Sequence, residues 1–151
     1  MTGVEARVAP LDHAELPAAV AKSLKAWHAM IAAVDLSDID SLLHDDVLFS
    51  SPAFWHPYAG PVKVGHVLQT AVSVFDDFRY HREFVTGDGQ DVVLEFSAKI
   101  AELELKGIDM IGFDSGGLIT RFEVMIRPMK SLGALAERMK ASLNLELMGM
   151  A

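Results

Sequence analysis

Three parts of the chain repeat apolar residues at spacings of three and four, which is the period of an amphipathic helix. Asp12 and Glu15 resemble a capping box ahead of the first part, and Pro17 suits a first helical turn. A later helix is predicted at about 62–77, and a C-terminal helix over 131–145. The apolar stripes are Val20, Leu24, Trp27, Ile31 and Val34, then Val64, Leu68, Val72 and Phe75, then Leu132, Leu135, Met139 and Leu143.

A shorter helix is predicted between the first two stripes, and strands dominate the second half of the chain. The short helix begins at a Ser37-x-x-Asp40 cap and ends at His44, and a strand begins at Val47. From Asp77 onward apolar and polar residues alternate, which is the period of a strand. Turns at 87–89 and 114–117 separate these strands, and Pro128 ends the last one.

This order of elements predicts one α+β domain over residues 1–151, with residues 1–11 as a loose arm. A run of strands in succession favours an antiparallel sheet with one covered face. We therefore expect a curved sheet that wraps round the N-terminal helices and encloses an apolar pocket.

The segment from Pro52 to Pro61 is predicted to be an irregular loop, because its prolines remove hydrogen-bond donors and constrain their neighbours. It is rich in aromatic residues, and we expect Phe54, Trp55 and Tyr58 to line or cover the pocket mouth. His56 could hang over that mouth, where a histidine can move protons near neutral pH. The alternative is a histidine that faces solvent.

Asp109 is the candidate acidic residue of the pocket. Side chains alternate across a strand, and the odd positions of 102–114 are apolar except for Gly107 and Asp109. A carboxylate among hydrophobic residues needs a partner or a raised pKa, which makes it a functional candidate. A structural aspartate bonded to a neighbouring strand is the alternative. Parity also places on inward faces the candidate ligand-binding residues Phe96, Ile111, Phe122 and Val124.

Arg82 is a possible charge partner for this carboxylate. Parity puts Tyr80, Arg82 and Phe84 on one face of their strand, so Arg82 could point inward. A strand edge or a bulge would instead let it point to water, and we favour the edge.

Composition narrows the classes of function. A formal net charge of −8 provides no basic stripe for nucleic acid, and the absence of cysteine excludes disulfides and thiolate metal sites. The run His44-Asp45-Asp46 favours a helix end over a metal site, so we expect neither a metal nor another cofactor. Met1 to Ala9 has no apolar run typical of a signal peptide, and no stretch is long enough to cross a bilayer. We therefore expect a cytoplasmic protein without a membrane partner.

Apolar residues also occur at strand positions whose side chains are predicted to face outward. They are Ile108, Met110, Ile119 and Met125. An apolar outer sheet face often pairs with a second copy, so a homodimer is predicted.

Several stretches between roughly residues 20 and 130 look familiar when taken together: Trp27, Val34 to Val47, Phe49-Ser50-Ser51-Pro52, Gly107 to Phe113 and Gly116 to Phe122. They resemble the nuclear transport factor 2-like superfamily, particularly its SnoaL-like branch. This resemblance implies a cone-shaped α+β roll whose wide mouth opens on a small-molecule pocket.

The resemblance also implies roles for single positions. Relatives of ketosteroid isomerase use a base Asp, a Tyr and a protonated Asp that an apolar site keeps neutral. The protonated Asp falls on Asp109, the base on Ser51 and the tyrosine on Trp27, so one of the three is kept. The acidic residue that limonene-epoxide hydrolases and SnoaL cyclases place in the last strand falls on Val124.

Two functions remain open from the sequence. The first is a cofactor-independent isomerase, dehydratase or cyclase acting on an apolar oxygenated metabolite. Asp109 would stabilise a developing oxyanion, His56 would be the base, and Ser51 and Trp27 would position the ligand. The second is a non-catalytic module that holds a hydrophobic ligand or a protein, which the missing base and missing second carboxylate favour.

Overall fold

The computed structural model describes residues 16–147, with side chains to Leu143. The predicted capping box and the loose arm lie outside this range. The described elements are α1 (Ala18–Ala33), a 3₁₀ turn (Ile39–Leu42), β1 (Leu43–Ser50), β2 (Tyr58–Ala59), α2 (Pro61–Val74), β3 (Asp76–Val85), β4 (Asp91–Ile100), β5 (Leu103–Phe113), β6 (Ile119–Arg127) and α3 (Met129–Leu147).

The strands form one curved, open sheet in the order β2-β1-β6-β5-β4-β3. The helices cover its concave face, so the predicted α+β roll is confirmed. The sheet is mixed rather than wholly antiparallel, because β1 pairs with β6 in parallel. Strands β3 to β6 are joined by short turns and pair antiparallel, whereas residues 51–118 separate β1 from β6.

Strand β1 begins at Leu43 and not at the predicted Val47. The short helix shrinks to a 3₁₀ turn, because Leu43 is buried and pairs with Ile119 in the parallel ladder. The acidic pair Asp45-Asp46 therefore lies within a strand, in the stretch where the register shifts.

The aromatic loop is not irregular throughout. Tyr58 and Ala59 form β2, which pairs with Phe49 and Leu48 of β1. The prolines at 52, 57 and 61 flank this pair of residues, so both of its backbone donors remain available for the ladder.

The covered face contains the hydrophobic core. Its buried residues include Val20, Leu24 and Trp27 from α1, Val64, Val67 and Leu68 from α2, and Leu94, Ile111 and Phe122 from the sheet. Ile119 also belongs to it and is fully buried, so the prediction that it faces outward is wrong. A register shift lies between the pairs Gly112–Arg121 and Phe113–Ile119, and it reverses the parity of β6 at that point. No helix in the described range is long and apolar enough to span a membrane.

Candidate functional site

A cavity of about 660 Å³ lies between the three helices and the concave face of the sheet. Its wall is almost entirely apolar and comes from every element around it, including Ile31 of α1, Val72 of α2, Phe78 of β3 and Met139 of α3. A concave apolar site with a few polar groups is the usual form of a small-molecule pocket.

Most of the candidate site residues from the sequence meet in this cavity. Those that line it are Trp27, Ser51, Phe54, Tyr58, Phe96, Asp109, Phe122 and Val124. Ile111 is buried in the core beside them but is not part of the described lining.

Trp55 and His56 lie outside the described lining of the cavity. Pairing of β2 with β1 holds Tyr58 against Phe49, with ring centroids 6.3 Å apart. The tip of the loop beyond this anchor is exposed, and Trp55 is 91% exposed. His56 is exposed on the same tip, which agrees with the alternative of a solvent-facing histidine.

Asp109 lies on the inward face of β5, opposite Leu94 on β4 and Val124 on β6. It is 5% exposed, and Tyr80 donates a hydrogen bond from its hydroxyl to Asp109 Oδ2 over 2.6 Å. The indole Nε1 of Trp27 in turn donates to the Tyr80 hydroxyl oxygen over 3.0 Å. Three elements therefore position one chain of hydrogen bonds, Trp27 to Tyr80 to Asp109.

This chain of hydrogen bonds determines which groups can exchange protons. Burial raises the pKa of Asp109 to about 7, and the hydrogen bond from Tyr80 opposes part of that rise. Burial, together with the nearby Asp109 carboxylate, raises the pKa of Tyr80 well above its ordinary value. Tyr80 therefore remains a hydroxyl donor at neutral pH, while Asp109 is divided between acid and carboxylate.

Sequence reasoning missed Tyr80 because it placed that residue on one face with Arg82. The strand β3 shifts register between Tyr80 and Glu83, so the two residues diverge. Tyr80 pairs with Phe96 and lines the cavity, whereas exposed Arg82 forms an ion pair with Glu95. Arg82 therefore points to water, and both the edge position of β3 and the bulge in it contribute to this. No local pattern in the sequence marks this bulge, because the pairing of β3 with β4 determines its position.

Ser51 lies at the position where the resemblance places a base, but its hydroxyl has a structural role. Ser51 Oγ accepts hydrogen bonds from the backbone N–H groups of Ala53 and Phe54, over 3.3 and 3.1 Å. It therefore closes the turn that starts the aromatic loop. Val124 lines the cavity beside Asp109, and Asp109 is the only acidic residue in the described lining.

The basic residues of the lining were also missed by the sequence reasoning. Lys63 and His66 come from α2, and Lys140 comes from α3. All three are exposed, so they lie at the open end of the cavity, away from buried Asp109. Among the side chains described between residues 16 and 143, no cluster of three or more His, Asp or Glu could hold a metal ion.

Comparison with known families and structures places the chain among proteins of this architecture. The model of the SnoaL-like domain matches residues 24–122. A steroid delta-isomerase from Pseudomonas aeruginosa is similar at 51% identity, with a TM-score of 0.87 over 89% of this chain and 98% of that chain. A protein with a cystatin-like fold from Silicibacter pomeroyi is similar at 37% identity, with a TM-score of 0.77 over 83% and 88%.

More distant structures support the fold alone. An NTF2-like protein from Mesorhizobium loti superimposes with a TM-score of 0.65 at 12% identity, over 80% of this chain and 98% of that chain. No match was found among curated proteins.

Proposed function

Because the chain belongs to the SnoaL-like family of the nuclear transport factor 2-like superfamily, we propose that it is a cofactor-independent isomerase of an apolar, oxygenated metabolite. The similar steroid delta-isomerase makes a cyclic ketone the first substrate class to test. The observation that best supports the proposal is the buried Asp109, held by Tyr80 at the wall of an apolar cavity.

Asp109 is the group we assign to proton transfer. Its pKa of about 7 leaves both protonation states populated near neutral pH, as a group that takes and returns a proton requires. As a carboxylate it would remove a proton from a carbon next to the substrate carbonyl. As an acid it would return the same proton to another carbon of the resulting enolate, so the double bond moves and no proton is gained or lost.

Tyr80 would stabilise the intermediate. Its hydroxyl proton points to Asp109 while that group is a carboxylate, and the Trp27 indole occupies one lone pair of its oxygen. Protonation of Asp109 removes the charge that holds the hydroxyl proton. The Tyr80 hydroxyl can then donate to the enolate oxygen, in a site where the apolar wall strengthens that hydrogen bond.

Turnover of a β,γ-unsaturated ketosteroid, followed by the ultraviolet absorbance of the conjugated product, tests the proposal. We expect Asp109→Asn to lower kcat/KM by about 100-fold or more, because removal of a general acid–base group costs that much. Glu104→Gln, an exposed substitution outside the cavity, is the matched control and should leave turnover unchanged. A kcat/KM of Asp109→Asn within three-fold of the wild-type value would contradict the assigned role.

A non-catalytic ligand carrier is the second candidate. It is favoured by the structural role of Ser51 and by the apolar Val124, which together leave Asp109 without a second acidic residue in the described lining. This function predicts that a bound ketosteroid is released unchanged. It also predicts that Asp109→Asn alters the dissociation constant of the ketosteroid and reveals no turnover to lose.

A further inference from the structure

We propose that the ligand of this cavity is an amphipathic anion, with its anionic group at the mouth against Lys63 and Lys140. The inference rests on the function proposed above and specifies the substrate class for the same site. The carbonyl end of the ligand would lie at Tyr80 and Asp109, and an apolar body would connect it to the anionic group.

The sign of the charges in the lining supports this proposal. Acidic residues outnumber lysine and arginine by 21 to 13 in the whole chain. In the described lining the order is reversed, since two lysines, Lys63 and Lys140, are opposed only by Asp109. A mouth of positive potential on an acidic protein favours an anionic ligand and repels a cationic one.

The depth of each group separates the two ends of the ligand. Lys63 and Lys140 are exposed, whereas Asp109 is buried behind an apolar wall that includes Phe75 and Phe96. An anion could not be placed beside Asp109 without burying a second negative charge next to its carboxylate. The anionic group of the ligand must therefore face the mouth, and its neutral carbonyl end must face Tyr80 and Asp109.

Helix α2 adds to the positive potential. It begins at Pro61, so Lys63 lies in its first turn, where the helix dipole already contributes positive charge. That turn has no acidic residue to balance it. Neither Lys63 nor Lys140 forms an ion pair with another residue in the described part of the chain. A ligand carboxylate beside Lys63 would interact favourably with this end of the helix.

Two probes of equal chain length separate charge from hydrophobicity. N-phenyl-1-naphthylamine, whose fluorescence rises in an apolar cavity, serves as the reporter, and decanoate and 1-decanol compete for its site. The ratio of their inhibition constants is measured for wild type, for Lys63→Gln/Lys140→Gln and for Lys63→Arg/Lys140→Arg. Lys25→Gln, an exposed residue of α1 outside the described lining, is the control.

We expect the inhibition constant of decanoate to be about five-fold or more higher in the double glutamine variant than in wild type. The inhibition constant of 1-decanol should change by less than two-fold. The double arginine variant and Lys25→Gln should keep the wild-type ratio. Added salt should weaken the binding of decanoate to these proteins and to wild type, but not to the double glutamine variant, which lacks both cations. An unchanged ratio in the glutamine variant would overturn the proposal, as would equal weakening of both probes. Neither result would bear on the role of Asp109, which the ketosteroid assay measures separately.

Discussion

At the scale of single residues, burial of Asp109 makes the stability of the protein depend on pH. The pKa of this group is about 7 in the folded protein and close to 3.8 in an unfolded chain. The folded protein therefore binds this proton more tightly than the unfolded chain does. Protonation of Asp109 stabilises the folded protein in full below about pH 4. That contribution is lost as the pH rises to 7, where the folded protein must bury a charge.

Asp109→Asn removes this pH dependence. A pKa shift of about three units corresponds to roughly 4 kcal/mol. Wild type should therefore lose up to this amount of unfolding free energy, relative to the variant, between pH 4 and pH 8. Urea denaturation at several pH values measures the difference, and Asp45→Asn, at an exposed position of β1, is the control. Parallel pH profiles for Asp109→Asn and wild type would contradict the buried ionisation.

At the scale of elements, the strands differ in whether inward and outward side chains alternate along their whole length. Strands β4 and β5 pair without interruption from Asp91–Gly112 to Ile100–Leu103, so the alternation in the sequence correctly places Asp109 inward. Strands β3 and β6 each contain a register shift, and there parity misplaced Tyr80 relative to Arg82 and misplaced Ile119. A bulge inserts one residue and reverses the faces beyond it, and pairing partners rather than local composition determine its position.

Gly107 is the position in β5 where a side chain cannot be accommodated. A Cβ atom there would lie 2.5 Å from Phe96 Cζ and 2.6 Å from the backbone oxygen of Met125. We expect Gly107→Ala to lower the unfolding free energy by about 1–3 kcal/mol, because both the aromatic ring and strand β6 must move. Thermal or urea denaturation measures this loss. Gly133→Ala, where the added Cβ meets nothing within 4 Å, is the control and should not be destabilising.

At the scale of the whole molecule, the outer face of the sheet remains open to a partner. Its centre is apolar at Ile108 and Met110, which are half-buried, and at Met125, which is 49% exposed. One end carries a cross-strand row of Arg79, Ser97, Lys106 and Arg127, and the other end carries Asp91, Arg121 and Glu123. Two copies related by a two-fold axis could place the basic row of one toward the acidic residues of the other.

We therefore propose a homodimer that forms through this face, and Met125→Glu tests it. A charge at the centre of the apolar contact should convert the dimer to a monomer, which sedimentation velocity detects as a halved mass. Met129→Glu, which alters an 86% exposed methionine at the start of α3, should leave the mass unchanged. A wild-type protein that sediments as a monomer, or a Met125→Glu variant that still dimerises, would contradict the proposal.

The sequence by itself determined the fold class and the inward position of Asp109. Both depend on periodicity: the three-and-four stripes of α1 and α2 and the apolar odd positions on either side of Asp109 in β5 follow from backbone geometry, which is local. The resemblance to SnoaL-like proteins then indicated a pocket, and most of the candidate residues line it.

Only the tertiary structure determined the neighbours of Asp109. Tyr80 and Trp27 are 29 and 82 positions from it in the chain, and their hydrogen bonds depend on a bulge in β3 and on the packing of α1 against the sheet. Long-range pairing likewise determines which residues reach the cavity. Lys63 and Lys140 belong to its described lining, and His56 does not. Such contacts join distant segments, so no local pattern specifies them, although they determine the chemistry available to the site.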